Sequence, residues 1–328
     1  MDHPFWPLKY VVPHARVISD NDYSGDPDGL AQLAHHLLSP SVDVRAVIGT
    51  RLGIMRDDRD HDFTPVIDTA VQYAREVAAL CGREEVPVLR GGLHRLPDAE
   101  TPVDSAGARF IVQEAMRDDT DLPLFVCCGA GLTEVASAYL MEPRIAERMT
   151  LVWIGGYEHD ETAPRGPGAG DLEYNLSIDL LAGQVIFNRS GIEVWQVPRN
   201  VYRQCMTSRA ELIVRLGGNG ALGDYLLQKI GLISERFSEF GIPLGESYVL
   251  GDSPLALLTV LPTMMESEVS SSDWTDLPCP RILDSGRYEP NPQGQTIRAF
   301  SRIDNRTMLE DFFAKVTLRA RVVPNPSI

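Results

Sequence analysis

Short apolar runs rich in β-branched residues alternate with stretches of helical periodicity through the first 200 residues of the chain. This alternation is typical of βαβ units and of a mostly parallel sheet. Functionally, the most informative predicted strands are at residues 17–18, 42–48, 124–128 and 151–154. The matching predicted helices are at residues 30–38, 65–80 and 132–140.

Beyond residue 200 the pattern becomes more helical, with helices predicted at residues 209–239 and 254–261 and an amphipathic stretch at residues 305–316. The segment that follows residue 280 is expected to form a strand pair or to be irregular. No internal repeat or linker divides the chain, so we predict one domain over residues 1–328. Its expected fold is an open, mostly parallel, Rossmann-like α/β sheet flanked by helices, with a mainly helical C-terminal part.

The composition of the chain limits the kinds of partner that it can bind. The chain has 328 residues, of which 46 are acidic and 30 basic, giving a net charge of −16. This charge argues against a nucleic acid or an anionic membrane as partner, because both bind through cationic groups. No segment has 18 uninterrupted apolar residues and no basic leader precedes residue 10, so a cytoplasmic protein is expected. The five cysteines have no metal-site spacing and are expected to be reduced.

Four aspartates crowd the turn after the first predicted strand, namely Asp20, Asp22, Asp26 and Asp28. Carboxylates held so close together repel one another unless a cation neutralises them. Since no His or Cys accompanies them, their oxygen atoms favour calcium or magnesium over zinc. The alternative is a capped helix start, with Asp26 or Asp28 as the N-cap and the other aspartates in a polar turn.

The order of several motifs resembles one enzyme family. The segment VISDND at residues 17–22, followed by DPD at 26–28, resembles the DxD…DD signature of the inosine-uridine-preferring nucleoside hydrolases. Three later segments resemble further motifs of that family in the same order. They are AGLTEVA at residues 130–136, GG at 155–156 with EYN at 173–175, and LGDSPLA at 250–256.

This resemblance implies the hydrolysis of a ribonucleoside to ribose and free base, with calcium (Ca²⁺) as the cofactor. Asp22 would be both a calcium ligand and the base that orients the attacking water. Asp252 would supply a second carboxylate ligand, Thr133 its main-chain carbonyl, and Asp20 would fix the loop. The family also implies a homodimer or homotetramer and a part in purine or pyrimidine salvage.

By the same resemblance, Glu173 and Asn175 would hold hydroxyl groups of the ribose. The adjacent aspartate pair of the family is replaced by Asp26-Pro27-Asp28-Gly29. If the helix register is kept, Asp28 and Gly29 occupy the places of the pair; if the charge is kept, Asp26 and Asp28 do. We choose the charge, with Asp28 on the metal and Asp26 toward the sugar.

Two further departures concern the substrate. Gly251 stands where one branch of the family has a histidine that protonates the leaving base. Residues 50–53 lack the asparagine with which family members reach the ribose, and residues 157–171 lack the asparagine expected to contact its 5-hydroxyl. Together these gaps suggest a modified nucleoside or another ribosyl compound as substrate. Other groups could assist the leaving base, and the candidates are Tyr157, His159, Tyr248, Trp153 and Trp274.

The sequence also predicts the environment of two histidines, one loop and two cysteines. Of the adjacent His35 and His36, one is expected to face the core and one the solvent. The segment 161–170, rich in glycine and proline, is expected to be a mobile surface loop. Cys127 and Cys128 lie in an apolar run and are expected to be buried.

Two other functions compete with the hydrolase. The strand that ends at Asp20 also resembles the nucleophile motif of haloacid-dehalogenase-type phosphatases, with Asp252 and Lys229 imitating later motifs. That reading leaves the motif at residues 173–175 unexplained, and Asp252 is followed by apolar residues where a second acid is expected. A ribosyl-binding protein without catalysis is the third possibility, because function resides in the site rather than in the fold.

Overall fold

The structure is a computed structural model, and it describes residues 10–53, 61–160, 172–242, 244–262 and 271–322. The predicted mobile loop at residues 161–170 lies outside the described residues. The strands are β1 (Ala15–Asn21), β2 (Val42–Gly49), β3 (Val88–Arg90), β4 (Leu124–Cys128), β5 (Thr150–Ile154), β6 (Glu193–Val197), β7 (Met206–Ser208), β8 (Ser247–Val249), β9 (Asp273–Pro278), β10 (Arg281–Ile282), β11 (Tyr288–Glu289) and β12 (Thr296–Arg302).

Helices cover both faces of the main sheet. A short 3₁₀ helix at Pro143–Glu147 and a π-helix at Ile186–Ser190 accompany them. The α-helices are α1 (Asp28–Leu37), α2 (Thr64–Cys81), α3 (Ala106–Ala115), α4 (Thr133–Met141), α5 (Tyr174–Ile178), α6 (Leu180–Val185), α7 (Arg199–Tyr202), α8 (Arg209–Leu216), α9 (Gly220–Glu239), α10 (Pro254–Val260) and α11 (Asn305–Val322).

The central sheet has eight strands in the order β3-β2-β1-β4-β5-β6-β12-β9. All neighbouring strands run parallel except β12 and β9, which are antiparallel. This arrangement confirms the predicted open, mostly parallel sheet flanked by helices. Since β2 lies on one side of β1 and β4 on the other, the strand order reverses between β1 and β4, and such a point opens a crevice at the carboxyl ends of the strands.

The predicted strand at residues 124–128 coincides with β4, and the other N-terminal strands and helices named above differ from the structure by one to three residues at their ends. Beyond residue 200, however, the continuous helix predicted at residues 209–239 is two helices, α8 and α9. The chain turns between them at Gly218 and Gly220, whose φ angles are +70° and +77°. This left-handed backbone suits glycine and ends α8, which periodicity alone does not reveal.

The C-terminal segment beyond residue 280 contains the expected strand pair, β10-β11, and also adds β12 to the main sheet. β12 pairs in parallel with β6, and β9 pairs antiparallel with β12. The sheet therefore contains strands from both ends of the described chain. The small antiparallel pair β10-β11 lies between β9 and β12 in sequence.

Burial corrects one prediction and supports another. His35 and His36 are both buried, so the expectation that one faces solvent was wrong. The reason is that α10 and α11 cover α1: His36 bonds to Thr259 and His35 to Asp311. All five cysteines are free thiols and all are buried, including Cys127 and Cys128, for which burial was expected. No helix in the described part of the chain is both long and apolar enough to cross a membrane.

Candidate active site

A cavity of about 480 Å³ opens at the crevice where the strand order reverses. Asp22 directly follows β1 and Gly129 directly follows β4, and both line the cavity. The two strands pair in register, with Asp20 opposite Cys128. The sheet thus brings together the ends of two segments that are more than 100 residues apart in sequence, as the crevice rule predicts.

Four aspartates share this cavity: Asp22, Asp26, Asp28 and Asp252. Asp252 arrives from the turn before α10, and its main-chain N–H donates to Asp28 Oδ2 at 3.1 Å. The hydroxyl of Tyr248, on β8, donates to Asp26 Oδ1. The N-cap position of α1 is Pro27, without a side-chain capping bond, so the alternative of an aspartate N-cap is not supported.

Asn21, at the end of β1, holds two of these aspartates in place. Its Nδ2 donates to Asp252 Oδ2 at 2.8 Å, and its Oδ1 accepts from the main-chain N–H of Asp22 at 2.8 Å. Gly29 allows this contact, because a Cβ there would lie 2.7 Å from Asn21 Nδ2. No role for Asn21 was predicted from the sequence, although its position between Asp20 and Asp22 was the available signal.

The carboxylates raise one another's pKa. Burial raises the pKa of Asp22 well above its usual range, and the charges of Asp252 and Asp26 raise it further. Burial, followed by the charge of Asp252, raises the pKa of Asp28 in the same way. Burial raises the pKa of Asp252 to about 7, against the opposing effect of its hydrogen bond from Asn21. A cation bound among them would relieve this repulsion.

The donor chemistry of the cavity fits a hard cation, since the carboxylates and the carbonyl of Gly129 are oxygen donors and no His or Cys lines its described wall. The side chains are not already assembled as a metal centre. Within the described ranges, no three His, Cys, Asp or Glu side chains form a group that could hold an ion. Asp28 and Asp252 instead accept hydrogen bonds from the protein, and a cation would compete with those bonds.

Asn175 lines the cavity from α5, as the sequence-based hypothesis requires. Its Nδ2 donates to the carbonyls of Gly129 at 3.0 Å and Ile154 at 2.7 Å. The side chain thereby joins α5 to the ends of β4 and β5. Because the amide nitrogen is committed to the protein, the amide oxygen is the atom that could accept from a ligand hydroxyl.

Glu173 lies behind the cavity surface and is 0% exposed. Each of its carboxylate oxygens accepts two hydrogen bonds. Oε2 accepts from the main-chain N–H groups of Gly156 and Leu176 at 2.8 and 2.9 Å. Oε1 accepts from the main-chain N–H of Asn175 at 3.1 Å and from the hydroxyl of Tyr202 at 2.7 Å.

Two other candidates are also placed outside the cavity. Thr133 begins α4, where its carbonyl faces the next helical turn, and its hydroxyl donates to Asp179 Oδ2 at 2.8 Å. The residue of this loop that lines the cavity is Gly129, four residues earlier. Asp20 is buried beneath the site; burial, followed by the charge of Glu134, raises its pKa well above the usual range.

Apart from the aspartates, the cavity lining is mostly apolar and aromatic, with one cation. Arg236 is the only positively charged residue among those described as lining the cavity. It lies on the last turns of α9, which contribute to the lining of the cavity. The residues of this part of the lining, the apolar wall, are Leu52, Ile154, Tyr174, Tyr202, Ile233, Arg236, Phe237 and Val249.

None of the five sequence-based candidates for leaving-group assistance lines the described cavity. Trp153 donates to the carbonyl of Ala130 within the core, and Tyr248 supports Asp26 from behind. His159 bonds to Gln196 Oε1, 2.8 Å away. Tyr157 packs against Tyr288, and Trp274 lies on the edge strand β9.

Lys229, which the phosphatase hypothesis would need beside the aspartates, does not line this cavity. Its ammonium nitrogen lies 3.2 Å from the ring centroid of Tyr73 and 4.0 Å from Glu76 Oε2. The lysine is therefore engaged on the other side of α9. This placement removes the feature that made the phosphatase comparison attractive.

Comparison with known proteins supports the fold through structure rather than sequence. No protein-family model and no curated protein matches the chain. Among solved structures, the plant nucleoside hydrolase PpNRh1 is similar with a TM-score of 0.67 and 19% identity, over 93% of this chain and 99% of that chain. The purine-preferring ribonucleoside hydrolase from Gardnerella vaginalis is similar with a TM-score of 0.70 and 19% identity, over 94% of this chain and 100% of that chain.

A third similar structure is the inosine-uridine-preferring nucleoside hydrolase from Bacillus anthracis. It has a TM-score of 0.63 and 15% identity, over 94% of this chain and 100% of that chain. The chain therefore has the nucleoside hydrolase fold, which confirms what the motif resemblance implied for the architecture. At these identities the likeness concerns the fold, so the chemistry has to be argued from the cavity itself.

Proposed function

We propose that this chain is a calcium-dependent nucleoside hydrolase that cleaves the N-glycosidic bond of a ribonucleoside, or of a related ribosyl compound, to ribose and the free base. The observation that carries this proposal is the convergence of Asp22, Asp26, Asp28 and Asp252 with Asn175 in one cavity. These residues come from separate segments of the chain, and the fold that joins them is that of nucleoside hydrolases.

The residue types suit the reaction. Cleavage of an N-glycosidic bond proceeds through a ribosyl cation of oxocarbenium character, which nearby carboxylates stabilise. Asp22, at the floor of the cavity, accepts the proton of the attacking water. The amide oxygen of Asn175 accepts a hydrogen bond from a ribose hydroxyl, and Asp26 faces the sugar.

Asp22, Asp28 and Asp252, with the carbonyl of Gly129, are the atoms we propose as calcium ligands. Bound calcium would hold the ribose diol and the water and would lower the pKa of that water modestly. Asn21 keeps Asp22 and Asp252 in their relative positions by bonding to both. Asp20 supports the same loop from below, where it is fully buried.

The leaving base would lie against the apolar wall. Phe237 and Tyr174 offer aromatic surface, and Arg236 supplies a cation on the same side. A guanidinium there would stabilise negative charge that develops on the base as the bond breaks. Arg236 and the aromatic side chains would thus take over the task of the histidine that protonates the leaving base in one branch of the nucleoside hydrolases, because Gly251 carries no side chain.

The test is an assay of the purified protein with inosine, guanosine, adenosine, uridine, cytidine and p-nitrophenyl phosphate. We expect equal amounts of ribose and free base from at least one nucleoside, loss of this activity in EDTA, and its return when calcium is added. Release of phosphate instead would favour the phosphatase. Saturable binding of a nucleoside without turnover would favour a ribosyl-binding protein.

A further inference from the structure

Tyr202 stands between Glu173 and the cavity. It is the last residue of α7 and lines the cavity, whereas Glu173 is completely buried behind it. The Tyr202 hydroxyl donates to Glu173 Oε1 at 2.7 Å. A substrate in the cavity would therefore meet the tyrosine before it could reach the glutamate.

Glu173 also has no acceptor capacity left for a sugar. A carboxylate offers about four acceptor positions. All four are used by hydrogen bonds from the protein, three from main-chain N–H groups and one from Tyr202. The three main-chain bonds hold the loop before α5 and its first turn, so Glu173 has a structural task that a substrate contact would disturb.

The ring of Tyr202 lies beside the aspartates. A Cβ at Gly251 would be 3.6 Å from Tyr202 Cδ2 and 3.3 Å from Asp28 Oδ2. A Cβ at position 251 would therefore be in ordinary van der Waals contact with the ring. The ring of Tyr202 and the carboxylate of Asp28 both border the space beside this glycine.

We infer that Tyr202, rather than Glu173, makes the hydrogen bond to a ribose hydroxyl, and that Glu173 is the positioning residue that orients the phenol. This inference rests on the proposed function. The phenol donates its proton to Glu173, so its oxygen remains free to accept a hydrogen bond from the sugar. Burial and the charge of Glu173 raise the pKa of Tyr202, so the phenol keeps its proton at neutral pH.

Tyr202→Phe separates this account from direct contact by Glu173. If Glu173 bound the sugar, removing the phenol hydroxyl would free Oε1 and would leave binding unchanged or improved. If Tyr202 binds the sugar, we expect KM for the preferred ribonucleoside to rise about tenfold, since one hydrogen bond is lost, with a smaller change in kcat.

The 2′-, 3′- and 5′-deoxy forms of the same nucleoside identify the hydroxyl. Tyr202→Phe should leave KM unchanged for the form that lacks the contacted hydroxyl and should raise KM for the other two forms. An unchanged KM for the parent nucleoside, or an equal loss for all forms, would contradict the inference.

Tyr225→Phe is the matched control. It also removes a tyrosine hydroxyl that donates to a glutamate, since Tyr225 bonds to Glu76 Oε2 at 2.6 Å, but this pair lies between α9 and α2 outside the cavity. We expect its KM values to equal those of the wild type. A rise in KM in both variants would show a general effect of losing such a bond and would overturn the inference.

Failure of the proposed function is a separate outcome. If the wild type releases ribose from no nucleoside, hydrolysis is contradicted, and the inference is then decided by the thermal shift that D-ribose with calcium produces. A shift in the wild type that is smaller in Tyr202→Phe and retained in Tyr225→Phe supports it. No shift in the wild type, or an equal shift in Tyr202→Phe, overturns it.

Discussion

Asn21 shows how a residue that binds no ligand itself can set the geometry of a charged site. It bonds to the main-chain N–H of Asp22 with one side-chain atom and to Asp252 Oδ2 with the other. Groups that orient metal ligands in this way commonly affect metal affinity by about 10- to 100-fold. We therefore expect Asn21→Ala to need 10- to 100-fold more calcium for half-maximal activity.

The check is a calcium titration of ribose release after removal of metal with EDTA. Asn188→Ala is the control, because Asn188 also makes two hydrogen bonds through its amide, both to Ile282, at a distance from the cavity. It should lower stability without changing the calcium requirement. An Asn21→Ala variant with a normal calcium requirement would show that the two aspartates do not act together on a cation.

Among individual residues, the sequence predicted the cavity residues that belong to local motifs and missed those that only packing brings to the cavity. Asp22 and Asp252 were identifiable because each belongs to a recognisable local motif. Tyr202 carries no such signal, and only the positions of α7 and Gly251 bring its ring to the site. Glu173 matched its motif, but its hydrogen bonds, which depend on the folded loop, place it behind the cavity surface.

Among the helices, α9 has two unequal halves. Its first part, residues 220–230, which we call the first half, contains all of its buried residues: Leu222, Gly223, Leu226 and Ile230. The second half has none and lies over the cavity, to which it contributes Ile233, Arg236 and Phe237. Anchoring by the first half therefore holds the cavity wall in place, and stability of the second half depends more on intrinsic helix preference.

Two glycines in α9 test this division. A Cβ at Gly231 would meet no atom within 4 Å, whereas a Cβ at Gly223 would lie 2.3 Å from the carbonyl oxygen of Leu216. Gly231→Ala should raise the free energy of unfolding by about 1 kcal/mol, because alanine favours the helix and nothing clashes. Gly223→Ala should lower it, since the backbone oxygen cannot easily move away.

Denaturant unfolding of both variants measures these changes. Opposite signs are the expected result. If Gly231→Ala also destabilised the protein, the second half of α9 would be packed more tightly than the structure shows.

The elements themselves were predictable where their signals are local. Short hydrophobic runs indicated β1, β2, β4 and β5, because each is largely buried and bounded by turns, whereas the short strand β3 was not predicted. The position of β12 beside β6 was not predictable, since it depends on pairing between segments about 100 residues apart. The break between α8 and α9 depends on the positive φ of Gly218, which helical periodicity does not register.

For the whole molecule, His36 links stability to pH. It is fully buried, with Nδ1 2.5 Å from Gln32 Nε2 and Nε2 2.8 Å from Thr259 Oγ1. Burial, followed by the charges of His35 and Lys315, lowers the pKa of His36 to about 3. The folded protein therefore keeps this histidine neutral at pH values where an unfolded chain protonates it.

The contribution of His36 is fully present above pH 6.5, the ordinary pKa of histidine, and is lost as the pH falls from 6.5 toward 3. One such group makes the free energy of unfolding fall by up to about 1.4 kcal/mol per pH unit in this range. His36→Gln should reduce this dependence of the free energy of unfolding on pH by about the same amount, whereas His94→Gln, at an exposed position, should not change it.

Urea unfolding at pH 6.5, 5.5 and 4.5 measures the dependence in each protein. An equal dependence on pH in the wild type and in His36→Gln would contradict this account.

The uneven distribution of negative charge affects the stability of the whole molecule. The chain carries a net charge of −16, and four of its acidic groups are gathered in one cavity. Concentrating carboxylates at the reversal of the strand order costs folding free energy through repulsion. We therefore expect calcium to raise the melting temperature, and the variant Asp28→Asn to show a smaller rise.

The central claim is that the aspartate cavity hydrolyses ribonucleosides, and the most direct test is the rate of ribose release by the wild type and Asp22→Asn under identical conditions with calcium. We predict that the wild type releases ribose and that Asp22→Asn is slower by about 100-fold or more, because it loses the group that takes the proton from water. Asp276→Asn, an exposed aspartate on β9, should match the wild type. Ribose release by Asp22→Asn at the wild-type rate would contradict the account.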